Sequence, residues 1–424
     1  MLIYCKKSMI KDIAITGESA IIHTREQWKL SDREKEKNMY SEQQKEWAGK
    51  FLTRCEEKMS RVMKDIQKDY PYTTVNGKYD NLEIFPFSWT SGFFGGIMWL
   101  LYVQTGKQEY RVRAERCSRR MKEALSEPEN YNCLDNHDLG FVFSLTNVAE
   151  VRLFGSADAR IRALHAATML AGRFNLKGKY IRAWRNGILG EDTKGYAIID
   201  CLMNLPLLYW ASEEYGDERF ALFAQEHAQT ACHEFVKQDG SVYHIVNFDT
   251  ATGKVKDYPR GQGYASGSSW SRGQAWGIYG FTLSYRYTGE KCFLQAARGV
   301  ADYVISHVSR FESRMPGYFI LPVDYEQPLS PDMWDASASA ITASGLMELA
   351  ACCGEEGCKY ADFAMRLLEG LYQDCDFGTD NQALVQSATE MYHGRTHHFP
   401  LIYADYYLIE ALMKCSGEKK IQMW

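Results

Sequence analysis

No stretch of this chain approaches the roughly 18–20 consecutive apolar residues that a membrane span requires. The start, MLIYC ahead of Lys6 and Lys7, is too short for the apolar core of a secretory signal. A protein that stays in the cytoplasm, away from membranes, is the expectation. Excess charge of either sign is missing as well: 49 Lys and Arg against 54 Asp and Glu leave a formal net charge of −5, which offers no basic field to nucleic acid. The 12 cysteines include no CxxC pair, and the one cluster, CCGEEGC (Cys352, Cys353, Cys358), lacks zinc-ligand spacing, so reduced thiols are expected. Phosphate-cradling loops are absent too, neither a Walker motif nor a GxGxxG after a strand, which argues against a nucleotide cofactor. No Pro/Ser-rich tract or break in composition marks a linker.

What the chain has is aromatic and apolar helical sequence, with 10 Trp and 27 Tyr. Most such rings pack in cores, but their flat faces and polar edges also suit stacking on sugars. Residues 24–70 place Trp47, Phe51, Cys55, Met59, Val62 and Ile66 at spacings of three and four, which predicts an amphipathic helix. Residues 1–23 lack that pattern and read as a loosely held arm ahead of a single domain over 24–424. In that domain a polar or Gly-containing opener followed by an apolar helical run occurs six times. The units start at Ser88, Asn136, Tyr196, Ser269, Trp334 and Phe399, with more amphiphilic helices between them. Buried helices alternating with one-sided ones, six times at irregular spacing, predict an all-α (α/α)6 barrel, with a solenoid as the structural alternative. In a barrel the openers share one mouth, which would bring Trp89, Asp138, Asp200, Trp270, Arg272, Asp335 and Asp405 near one another. Gly240–Tyr258 reads as a β-hairpin turned at Thr252 and Gly253, decorating that mouth.

Asp200 is the sharpest chemical signal, a lone acid in AIIDCLMNLPLLYW (Ala197–Trp210), a run that reads as one buried helix. A carboxylate there must find hydrogen bonds, raise its pKa or serve chemistry. Asp138, in NHDLGF, opens another inner run, and two such acids in one pocket suit acid and base work on glycosidic bonds. Asp138 could equally cap a helix, for Asp200 a role in chemistry is favoured, and for Asp335, in WDASASA, capping is the leading reading. The block YPRGQGYASGSSWSRGQAWGIYG (Tyr258–Gly280) offers Gln262, Trp270, Arg272, Gln274 and Trp276 among small residues. An arginine between two indoles suits a sugar carboxylate. His244 on the hairpin is a candidate donor to a sugar oxygen. His393, His397 and His398 form no ligand motif, so a loop near the mouth is favoured over a metal site.

At WTSGFFGG, HDLGF, IIDCLMNL, RGQGYASGSSWSRGQAWGIYG and DASASAITASGLMEL the chain resembles the unsaturated glucuronyl hydrolases, glycoside hydrolase family 88. The resemblance runs from about Trp89 to near the C-terminus. It implies the (α/α)6 barrel and removal of a 4,5-unsaturated uronic acid from the non-reducing end of oligosaccharides that lyases cut from glycosaminoglycans. It further implies Asp200 as general acid and base, Asp138 as the second acid, His244, Gln262, Trp270, Arg272 and Trp276 around the unsaturated sugar, and Trp89 as an aromatic wall. No metal or cofactor is implied; the partner is an unsaturated oligosaccharide from chondroitin, hyaluronan or heparin. Where some members recognise sulfate with Ser and Lys on a C-terminal loop, this chain has MYHGRTHHFPLIYADYY. Three other readings stand beside this one: an unsaturated rhamnogalacturonyl hydrolase, a sugar epimerase using paired histidines, and a saccharide-binding protein that keeps the tryptophans without needing Asp200.

Overall fold

The computed structural model describes residues 39–66, 69–81, 88–127, 134–188, 190–417 and 423–424. The expected arm and the first part of the expected helix over 24–70 lie outside these residues. What is described of that helix is α1 (Glu42–Val62). It starts where Ser41 accepts from the Gln44 N–H and the Gln44 side chain returns to the Ser41 N–H, a reciprocal cap that fixes the boundary. Its inward face carries Phe51, Cys55, Met59 and Val62, as the spacing predicts.

Helices then alternate. The inner ones are α2 (Phe93–Thr105), α4 (Leu139–Phe143 continuing through a π turn at Ser144–Val148 into Ala149–Phe154), α6 (Leu205–Tyr215), α8 (Ser271–Thr288), α10 (Ala336–Cys352) and α12 (Ile402–Ser416). Each is buried over most of its surface, because its residues are apolar or small on every side. The outer ones are α1, α3 (Gln108–Ser126), α5 (Ala157–Ala171), α7 (Arg219–Glu234), α9 (Lys291–His307) and α11 (Cys358–Asp374), which bury one stripe and keep charge on the other. Inner helices pack against their inner neighbours all the way round, α12 against α2 included, and α1 packs on α12. The ring is therefore closed, an (α/α)6 barrel rather than an open solenoid. All six openers stand at the N-terminal ends of inner helices.

One expectation is corrected. Ala197–Trp210 is not a single helix: it is the strand β5 (Tyr196–Ile198), a 3-10 turn (Ile199–Met203) and the start of α6. Pro206, in the first turn of α6, cannot donate to a preceding helix, while β-branched Ile198 and Ile199 favour the extended entry. The expected hairpin is present as β6 (Ile245–Phe248) and β7 (Val255–Asp257), its turn closed by Asp249 Oδ1 accepting from the Ala251 and Thr252 N–H groups. β5 adds to it as a third antiparallel strand, with Ile198 opposite Ile245. Asp200 therefore follows one strand end while His244 precedes its neighbour. Two short hairpins, β1–β2 (Pro71–Val75, Lys78–Asn81) and β3–β4 (Phe174–Asn175, Tyr180–Ile181), complete the loops.

Candidate active site

Two acids are brought together by close backbone approach. Asp138 precedes α4 and makes no capping bond with its side chain, so the capping reading does not apply. Asp200 sits on the 3-10 turn. Between them stands Asn204: its Oδ1 accepts from the Phe141 N–H at 2.8 Å, and its Nδ2 donates to the Asp200 carbonyl at 3.4 Å. Gly140 leaves room for this, since a Cβ there would fall 2.4 Å from Asn204 Cα. On the other side Gly280 of α8 does the same, because its Cβ would fall 2.3 Å from Leu202 Cβ. Two glycines, one in each neighbouring helix, thus let the turn bearing Asp200 sink between α4 and α8.

Both carboxyls are mostly buried, 14% exposed for Asp138 and 19% for Asp200. Burial, and next the charge of Asp200, push Asp138 up to about 8, against the opposing pull of Arg173. Asp200 is pushed up to about 7 by burial, offset by the Arg272 charge and its own backbone. Acids this close titrate as a pair, and the second proton is the harder to remove. His244 faces Asp200, Nε2 to Oδ2, at 3.6 Å. Its Nδ1 accepts from the Gln262 N–H at 3.0 Å. Burial, aided by Arg272, pushes His244 down to about 3, so the ring is neutral and its one proton is on Nε2, toward the acid.

Four buried polar atoms in this region have no protein partner among the described residues: Asp200 Oδ2, His137 Nδ1 and the indole nitrogens of Trp270 and Trp276. Unpaired buried groups are costly unless a ligand or water completes them. The Trp270 ring lies 4.2 Å from His244 on one side and 4.5 Å from the Arg272 guanidinium on another. Trp276 packs on Phe141 at 5.2 Å, and half-buried Trp89 packs on Phe141 at 5.5 Å and Tyr403 at 4.8 Å, making one aromatic wall.

Arg272, expected to stand open to a sugar carboxylate, is engaged by the protein. It is 1% exposed, and its Nη1 pairs with Asp335 at 2.7 Å and donates to Ser337 Oγ and the Thr389 carbonyl, while Nη2 donates to the Glu390 carbonyl. The indole of Trp270 covers the guanidinium itself. The cause is Asp335, which caps α10 with one oxygen and takes Arg272 with the other. Gln262 is likewise tied, its Nε2 donating to the Glu390 carbonyl at 3.1 Å. Asp405 is not part of the pocket chemistry: it is buried with Tyr79 Oη at 2.6 Å and the Leu384 and Val385 N–H groups. The histidine-rich loop holds itself in place through backbone groups, His393 at the Tyr264 carbonyl, His397 at the Tyr392 carbonyl and His398 accepting from the Trp334 N–H. Among the described residues no group of three or more His, Cys, Asp or Glu could hold a metal.

Three residues escaped the sequence. Asn204 was hidden because the Phe141 N–H that it accepts from lies on another helix. His137, whose Nε2 is 3.3 Å from Asp138 Oδ1, looked like part of a motif rather than an acid's neighbour. Trp184 pairs with Asn136 across a β-bridge and is only partly buried, so it stands beside the acid-bearing loop.

Comparison with known proteins follows the same lines. The sequence model described as Glycosyl Hydrolase Family 88 matches residues 55–413. An unsaturated glucuronyl hydrolase of Bacillus sp. (strain GL1) is 38% identical over 367 residues, 84% of this chain and 93% of that protein. An unsaturated chondroitin disaccharide hydrolase of Streptococcus pneumoniae is 30% identical over 384 residues, 87% of this chain and 92% of that protein. The crystal structure of the unsaturated glucuronyl hydrolase from Bacillus sp. GL1 superposes with a TM-score of 0.78 at 33% identity, covering 85% of this chain and 95% of that one. Fold, sequence identity and extent of match agree: the chain belongs to glycosyl hydrolase family 88 and is a glycosidase.

Proposed function

We propose that this enzyme releases a 4,5-unsaturated uronic acid from the non-reducing end of glycosaminoglycan-derived oligosaccharides by hydrating the C4=C5 double bond. The observation that carries the reading is the buried pair of acids with raised pKa, one of them facing a neutral histidine that presents its Nε2 proton. Protonated Asp200 gives its proton to C4. Positive charge develops at C5, next to the ring oxygen, and water adds there while Asp200 takes back a proton. The hemiketal so formed opens and the aglycone leaves, with the acid regenerated. Asp138, held protonated by burial and by the charge of Asp200, donates to a sugar hydroxyl. Half-buried Trp89 receives the sugar ring, with the buried indoles of Trp270 and Trp276 behind it. Arg272 acts from beneath Trp270 by its charge, attracting the uronate while Asp335 holds it in place.

The names of the relatives, glucuronyl and chondroitin disaccharide hydrolases, support this substrate class. The test is a panel of unsaturated disaccharides released by chondroitin, hyaluronan, heparin and pectin lyases, followed by loss of ultraviolet absorbance from the conjugated double bond. Turnover of glycosaminoglycan disaccharides is expected. Turnover confined to pectin fragments would instead establish the rhamnogalacturonyl reading, and binding with no loss of absorbance on any substrate would leave a saccharide-binding protein.

A further inference from the structure

Behind the aromatic wall of the site, between α4, α8 and α12, stands a residue that no motif singled out. Trp424 is 2% exposed, and Met423 beside it is equally buried. The Trp424 carbonyl accepts from Nη1 of Arg152, near the end of α4, at 3.3 Å, while its ring meets Phe141 at the start of the same helix. Since the inner helices open at the mouth with their N-terminal ends, Trp424 enters the barrel from the opposite end.

The indole is anchored. Its N–H donates to Glu410 Oε1, midway along α12, at 2.8 Å, and the same oxygen accepts from Tyr406 Oη at 2.8 Å. The other Glu410 oxygen accepts from Tyr279 Oη at 3.0 Å, from the Ser344 hydroxyl and from Lys414 Nζ at 3.5 Å. The carboxylate that holds the indole is therefore itself held from α8, α10 and α12, and a buried group satisfied in this way is rigid. The Trp424 ring lies parallel to Tyr407, with 3° between the planes and centroids 6.2 Å apart, and edge-on to Phe141, at 90° and 5.9 Å. Both are favoured arrangements of aromatic pairs.

Phe141 is the link to the chemistry. Its ring packs on Trp276 at 5.2 Å and on Trp89 at 5.5 Å. Its N–H is the one that Asn204 Oδ1 accepts, and through Asn204 the start of α4 is tied to the turn bearing Asp200. Glu410 fixes one edge of Trp424, so the indole is a firm backstop for the Phe141 ring. Without it the phenyl ring would settle into the space left, drawing the first turn of α4 with it, and the two acids would lose their spacing. We propose that Trp424 is a positioning residue for the hydration reaction: from the end of the barrel opposite the mouth it holds Phe141, and through Phe141 the spacing of Asp138 and Asp200. The inference rests on the reaction assigned to that acid pair.

Trp424→Ala, assayed on an unsaturated glucuronyl disaccharide well below its melting temperature, is expected to lose at least about tenfold in kcat while KM stays within about threefold. Free indole is expected to raise the kcat of that variant at least about threefold by refilling the space, as apolar cavities take up aromatic molecules. Trp424→Phe keeps a ring against Phe141 without the N–H and should hold kcat within about twofold of the wild type. Trp424→Leu keeps apolar bulk without the ring and should fall at least about fivefold below Trp424→Phe; these two carry the test if Trp424→Ala does not fold. A merely structural role would lower the melting temperature and leave the kcat of the folded protein unchanged. Wild-type kcat in folded Trp424→Ala, a loss of rate that indole leaves in place, or equal kcat in Trp424→Phe and Trp424→Leu would each overturn the proposal. A wild-type protein that turns over no unsaturated disaccharide would instead overturn the reaction on which it rests.

Discussion

A methyl group added at Gly140 attacks the spacing of the two acids without touching either. In Gly140→Ala the new Cβ would lie 2.4 Å from Asn204 Cα and 2.8 Å from its carbonyl oxygen, where ordinary contact begins at 3.4 Å. Both neighbours are backbone, so no side chain can swing aside, and α4 and the turn bearing Asp200 must separate by about 1 Å. Overpacking of this kind costs about 1–3 kcal/mol, of which the better helix propensity of alanine returns about 0.5–1. Catalysis suffers more, because a displacement of about 1 Å between catalytic groups is worth on the order of a hundredfold in rate. Gly140→Ala is thus predicted to fold, to melt somewhat earlier, and to lose roughly a hundredfold in kcat with a smaller change in KM. Steady-state loss of ultraviolet absorbance, beside a thermal melt, reads both. Gly277→Ala on α8 is the control: its nearest neighbours, Val242 and Val300 side-chain carbons at 3.6 Å, are in ordinary contact, so it should keep full activity. Wild-type kcat in a stably folded Gly140→Ala protein would refute the reasoning.

Three further outcomes follow from the charges. Since Asp200 must be protonated to donate and is pushed up to about 7, kcat/KM should fall as pH rises through about 7; a rate flat from about pH 5 to 9 would contradict this. Stability moves the same way: folded Asp138 and Asp200 hold protons that the unfolded chain loses near 3.8, so the melting temperature should decline as pH rises from about 4 towards 8. Arg272→Ala should cost about 3–5 kcal/mol of stability in a denaturant titration, because it strands Asp335 in a dry site. A raised KM with stability unchanged would mean that the arginine serves substrate alone.

The architecture was legible because each inner helix is apolar or small on all sides, a pattern that repeats with its opener six times. The acid-bearing motifs were legible for a related reason: a charge in an apolar run is conspicuous. The local form of Asp200's segment was not, since a short apolar run reads equally as strand or buried helix, and Pro206 alone hinted at the break. Long-range pairing was harder still. Asp335 looked like a cap for α10 and is one, but its second oxygen takes Arg272 from 63 residues away, and only the folded chain reveals that the arginine is occupied. Asn204 shows the same thing in reverse, an unremarkable amide that joins two acid-bearing segments once α4 and the 3-10 turn meet.

Asp200→Asn tests the central claim most directly. The amide keeps the shape of the carboxyl and its place before His244 but has no acidic proton for C4. Turnover of an unsaturated glucuronyl disaccharide should fall by about 10²–10⁴ or more while its Kd, measured by calorimetry, stays within a few fold of the wild type. Turnover at the wild-type rate by a protein with that substitution would show that the proton comes from elsewhere.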